Sequence, residues 1–128
     1  MGELRWKRIY DTAEEDDGFR ILIDRLWPRG ISKADAKLGD WARNVAPSAE
    51  LRSAYHKNEM DYKTFAEAYK KELYDNDEMT EFIEEIKNKL KTGNVTLLYA
   101  SREPEHSQIP VFRSFIEKRL KDNRYTAK

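Results

Sequence analysis

Two short, nearly unbroken apolar runs constrain the fold of this chain more than any other feature. Phe19-Arg20-Ile21-Leu22-Ile23 and Val95-Thr96-Leu97-Leu98-Tyr99-Ala100 are apolar almost throughout, without the in-out alternation of a half-exposed strand. Strands of this kind are covered on both faces, as in a parallel sheet. Parallel neighbours need a crossover connection, and the stretch between the runs supplies the helices for it. Tyr62, Phe65, Ala66, Tyr69 and Leu73 recur at helical spacing over about 60–74, and Met79, Phe82, Ile83, Ile86 and Leu90 do so over about 78–91. Both stripes read as core contacts, and Gly93 stops the second helix. The pattern predicts an α/β single-domain sandwich with a short, mostly parallel sheet and helices packed on it.

The remaining elements fit that plan. Residues 4–10 read as a strand at an edge or with one wet face, because Ile9 and Tyr10 sit among charges. The acidic stretch 11–18 ends in the turn signal Asp17-Gly18. Ser32-Lys33-Ala34-Asp35 and Pro47-Ser48-Ala49-Glu50 look like helix starts, with Ser32 and Ser48 as caps. Val111, Phe112, Phe115, Ile116 and Leu120 mark a final helix, with Pro110 in its first turn. A single domain over 1–120 followed by a frayed tail over 121–128 is expected.

Composition narrows the function classes. At 128 residues the chain is long enough for one core. Lys plus Arg and Asp plus Glu balance at 24 each, so no bulk field draws the protein to nucleic acid or anionic membrane. The absence of cysteine excludes disulfides, thiolate metal sites and cysteine nucleophiles. Residues 1–8 carry no apolar signal core, and no run approaches the ~20 apolar residues of a membrane span. A soluble, cytoplasmic protein without a membrane partner is the expectation. Oligomeric state is not legible.

In open parallel sheets, ligands bind beyond the carboxyl ends of the strands. Two charged segments emerge there: Asp24-Arg25-Leu26-Trp27-Pro28-Arg29-Gly30 and Arg102-Glu103-Pro104-Glu105-His106. In the first, Arg25 and Arg29 are forks for phosphate or carboxylate, and Trp27 offers a stacking face. The alternative is a structural plug in which Trp27 packs, Asp24 pairs with an arginine and Gly30 permits the turn. In the second, Arg102 would bind charge, and His106 would move protons near neutral pH. Ser107 or His106 would cap the last helix, whose free N–H groups favour an anion. Asp24 and Glu103 form a candidate acid and base pair. Asp24, Glu103 and His106 would also make an oxygen and nitrogen ligand set, but no compact metal motif is present, and neither metal nor cofactor is expected. Trp41 reads as core, His56 as a surface residue, and Arg52 as a partner for a carboxylate or, alternatively, as a residue lining the site. Lys118, Arg119, Lys121 and Arg124 make the last helix basic at its negative end.

The first polar segment, with Lys7-Arg8-Ile9-Tyr10-Asp11, Ala46-Pro47-Ser48, Glu50-Leu51-Arg52, Phe65, Tyr69, Glu72-Leu73 and Leu97-Leu98-Tyr99-Ala100 leading to Arg102 and His106, resembles the YeaO-like branch of domain-of-unknown-function family 488. The resemblance covers nearly the whole chain. It implies the α/β architecture and a shared polar site at the strand ends, without an assigned activity. Glu103 stands where an aspartate is common, Ser107 where an asparagine is common and Ile109 where a small residue is common. The acid is one methylene longer and an orienting amide is lost.

Three functions are expected in order. The first is a pocket for an anionic small molecule, such as a phosphate or nucleotide, held by Arg25, Arg29, Arg102 and Ser107 with Trp27 stacking. The second is a hydrolase of a nucleotide or glycosidic bond, using Asp24 or Glu103 to activate water and His106 to move a proton. The third is a nucleic-acid or protein-binding module without chemistry. The residue types leave open whether the protein is an enzyme.

Overall fold

The computed structural model describes residues 2–126, with side chains described through residue 121. Its strands are β1 (Leu4–Arg8), β2 (Phe19–Leu22), β3 (Asp40–Trp41) and β4 (Val95–Tyr99). Its helices are α1 (Lys33–Ala36), α2 (Ala49–His56), α3 (Tyr62–Asp75), α4 (Met79–Leu90) and α5 (Ile109–Thr126). The four strands form one sheet in the order β1-β4-β2-β3, and every pairing is parallel. The α/β sandwich read from the two apolar runs is therefore the architecture. Of the tail expected to fray, 121–128, residues 121–126 continue α5 and 127–128 lie outside the described residues.

Both runs are buried on both faces, because successive side chains point to opposite sides of the sheet. Ile21, Ile23, Val95 and Leu97 pack against Phe65, Tyr69 and Leu73 of α3, the buried face of α4, and Phe112, Phe115 and Ile116 of α5. Leu22 and Leu98 face the other way, with Ile9 and Ala36, under Trp27, Ile31 and Trp41. One face thus carries α2–α5 and the other only α1 with the segment before it. β4 lies between β1 and β2, so the run with the strongest strand signal is the central strand.

Both predicted caps form. Ser32 Oγ accepts from Asp35 N at 3.0 Å, and Ser48 Oγ accepts from Leu51 N at 3.2 Å. Ser48 is also held by Glu72 of α3, which accepts from its backbone N at 2.8 Å and from its hydroxyl at 2.6 Å. Two features escaped the sequence reading. β3 is only two residues long and contains a charged Asp, so no periodicity marks it; its pairing with β2 defines it. Arg20 interrupts the first apolar run yet is 4% exposed. It donates to the carboxylate of buried Asp17 and, through Nε, to Ala36 O at 3.0 Å. Lys7 reaches the same carboxylate at 3.0 Å. Burial alone would raise the Asp17 carboxyl, but the Glu14 N–H, Lys7 and Arg20 outweigh it and hold it below its ordinary value. This buried network sits at the amino end of the sheet, opposite the polar segments.

Among the described residues, no helix is long and apolar enough to cross a membrane.

Candidate functional site

The connections after β2 and β4 leave the sheet on opposite faces. β2 leads to α1 on the thin face, and β4 leads to α5 on the thick one. Adjacent strands that part in this way open a crevice at their carboxyl ends. A cleft of about 680 Å³ lies there. Asp24, Arg25, Trp27 and Arg29 border it from the first polar segment, and Arg102, Glu103, His106 and Ser107 from the second. The structure thus brings together every side chain singled out for a site.

Their surroundings differ. Asp24 is partly buried beside the central strand. Its Oδ2 accepts from Ala100 N at 2.9 Å and its Oδ1 from the Gln108 amide at 3.3 Å. Its carbonyl accepts from Trp41 Nε1 at 2.7 Å. Asp24 therefore ties β2 to the end of β4 and to the start of α5. Burial raises its carboxyl from 3.8 to about 6, against the opposing pull of the Ala100 N–H and the Arg52 guanidinium. An acid at that value exchanges its proton close to neutral pH.

Arg25 is partly committed to the backbone. Nε donates to Pro47 O at 2.8 Å and Nη2 to Ala46 O at 3.3 Å, which holds the approach to α2. Arg8 does the same from the end of β1, donating to Ala100 O at 2.9 Å and Ser101 O at 3.0 Å. Trp27 is wedged rather than free: its Nε1 donates to Ile31 O at 2.7 Å and its ring meets Trp41 edge-on at 5.2 Å. One face of Trp41 is covered by Arg43, 3.8 Å from the ring centroid. Ser107 is buried; its hydroxyl donates to Pro104 O at 2.6 Å and accepts from Ile109 N at 3.1 Å, closing the first turn of α5. The structural alternative is thus visible for Trp27, which packs, and for Ser107, which caps; Arg25 holds backbone carbonyls, and among the described residues no arginine forms an ion pair with Asp24.

Glu103 and His106 occupy a 3₁₀ turn at the cleft's rim and are open to water. Their side chains are 77% and 68% exposed, with His106 Nδ1 3.9 Å from Glu103 Oε2. Arg29 and Arg102 are exposed on the same cleft. Among the described residues, the cluster of three carboxylates close enough to share a cation is Glu14, Asp16 and Asp17. It lies at the other end of the sheet, and Lys7, Arg5 and Arg20 occupy its oxygens.

The reading missed Tyr10, Tyr55 and Gln108, which also border the cleft. Tyr10 closes the first predicted strand and was legible from the same rule of strand ends. Its hydroxyl donates to Arg29 O at 2.8 Å. Gln108 lies two residues beyond the second polar segment. Tyr55 had no local signal: its ring stacks on Phe65, 4.3 Å away, and its hydroxyl donates to His106 O at 2.9 Å, both distant in sequence. Arg52 of α2, read as a partner for a carboxylate, is exposed on the cleft and acts on Asp24.

The chain is similar to YeaO of Escherichia coli strain K12, at 40% identity over 113 residues, covering 88% of this chain and 96% of that protein. It is also similar to Rv3073c of Mycobacterium tuberculosis strain H37Rv and Mb3100c of Mycobacterium bovis, each 44% identical over 78 residues, or 61% of this chain and 66% of theirs. These relatives carry names without an assigned activity. No solved structure matches the chain significantly. The match to a family model extends from residue 3 to residue 128, and the chain belongs to the family described as the inactive DUF488-N3 subclade.

Proposed function

We propose that the cleft binds a small anionic molecule, phosphorylated or nucleotide-like, without transforming it. One observation carries this reading: three exposed arginines, Arg29, Arg52 and Arg102, border a single cleft from three separate segments. Guanidinium forks match phosphate and carboxylate oxygens, and a volume of about 680 Å³ lies within the usual size of small-molecule sites. Arg8 and Arg25 hold the surrounding loops through backbone carbonyls, so the cleft is set before a ligand arrives. Tyr10, Trp27 and Tyr55 supply aromatic edges for a base or sugar.

Calorimetric titration with inorganic phosphate and with AMP tests the reading. Saturable binding is expected, and Arg52→Ala and Arg102→Ala should each weaken it about tenfold or more, as for one charge-assisted hydrogen bond. Absence of binding to both probes, or indifference to both substitutions, would overturn it.

Hydrolysis of a nucleotide or glycosidic bond is the second reading, favoured by the Asp24 carboxyl at about 6. Two facts weigh against it. Glu103 and His106 stand in water at the rim, and the family description is of an inactive subclade. Turnover of a nucleotide that Glu103→Gln abolishes without unfolding the protein would favour catalysis over binding.

A further inference from the structure

We infer that Asp24 takes up a proton when the cleft is filled and donates it, as a neutral carboxylic acid, to an oxygen of the bound anion. The inference rests on the anion-binding reading and names the group that would select the ligand. It follows from counting hydrogen bonds. Each Asp24 oxygen already receives a neutral donor, the Ala100 N–H on one and the Gln108 amide on the other. An ionised carboxylate is acceptor-only, so those bonds suit it. A protonated carboxyl adds one O–H donor, and both existing neighbours are donors. The cleft is the open side of the group, where an acceptor oxygen of the ligand would meet the new donor without any turn of the Gln108 amide.

The charges around Asp24 agree with that assignment. Arg25 adjoins it in sequence, Arg52 faces it from α2, and Tyr69 of α3 lies near it, with Glu72 beyond Tyr69 and bound to Ser48. Arg102, Glu103 and His106 bound the cleft from the segment after β4. An oxyanion drawn in by Arg52 and Arg102 would lie beside a carboxylate of its own sign. A negative charge brought against a partly buried carboxylate shifts that carboxyl toward its neutral form. The proton comes from solvent, no bond between heavy atoms changes, and one repulsion becomes a charge-assisted hydrogen bond. A ligand that presents an acceptor oxygen in the cleft, such as a phosphate monoester, satisfies the new donor. An apolar or purely cationic molecule does not.

The test is proton linkage by calorimetry. Inorganic phosphate, inorganic sulfate and AMP are titrated at about pH 7 and about pH 8, in buffers of low and high ionisation enthalpy, with the wild-type protein and with Asp24→Asn. Sulfate holds no proton in this range, so with that probe the uptake belongs to the protein. Wild type is expected to take up close to one proton more than Asp24→Asn. Its affinity should fall about tenfold more than the variant's over that one pH unit, since a proton-coupled equilibrium moves tenfold for each unit. Binding with equal proton uptake in both proteins would overturn the inference and leave the binding reading standing. Absence of binding to every one of these probes would overturn both.

Discussion

Replacing Asp24 by Asn is expected to make the fold more stable at neutral and alkaline pH. In the folded chain the Asp24 carboxyl is raised from 3.8 to about 6, chiefly by burial. At about 1.4 kcal/mol per unit, a shift of roughly two units amounts to ~3 kcal/mol. An acid whose folded value lies above its unfolded value holds more protons folded than unfolded between those two values. Stability therefore falls as pH rises from about 4 to about 6, and the whole penalty is present above that window. Asparagine carries no charge and escapes it. The cleft admits water to the group, so the realised gain is about 1–2 kcal/mol rather than the full figure. The asparagine oxygen keeps the bond from the Ala100 N–H, and Gln108 can turn its amide to accept from the new NH₂. Urea unfolding at about pH 4.5 and about pH 8 measures this, read as a midpoint difference at unchanged slope. The variant should be more stable at the higher pH and nearly equal to wild type at the lower. Equal destabilisation at both would refute the reasoning, and would mean that the carboxylate serves the fold.

Three further outcomes are expected. Asp17→Ala leaves the buried Arg20 without its anionic partner and should cost about 3 kcal/mol or more in urea unfolding at neutral pH. Because the Asp17 carboxyl is held below its ordinary value, its contribution is present above the unfolded value and lost as pH falls through the folded one. The variant should therefore lack part of the wild-type loss of stability in acid. Leu98→Ala, at a fully buried position of the central strand, should lower stability by about 3–5 kcal/mol in the same measurement. Gly30→Ala and Gly18→Ala should differ although both glycines have positive φ, at 79° and 68°. A Cβ on Gly30 meets open space and costs about 1–2 kcal/mol of backbone strain, whereas one on Gly18 would lie 2.1 Å from Asn94 O and should cost several-fold more by thermal melting.

Much of the fold was legible because burial on both faces leaves a mark in the chain itself. A strand covered on both sides must be apolar throughout, and a helix on a sheet must repeat its apolar residues at helical spacing. Those two periods located β2, β4, α3 and α4, and the rule that ligands bind beyond parallel strand ends located the cleft. Ser32 and Ser48 were readable for the same local reason, since a cap acts on an N–H three residues away. What each site residue does was not readable. Arg25 and Arg102 look equivalent in sequence, yet one grips the Ala46 and Pro47 carbonyls and the other stands free on the cleft wall. Arg20 looked like a break in an apolar run until Asp17, Lys7 and the Ala36 carbonyl surrounded it. Tyr55 and Arg52 reach the cleft because α2, distant in sequence from both polar segments, packs on the same sheet. The sequence by itself determined which segments are buried and where the chain opens, because periodicity and capping are properties of neighbouring residues. Only the tertiary structure decided which polar groups are already satisfied, because hydrogen-bond partners are drawn from anywhere in the chain.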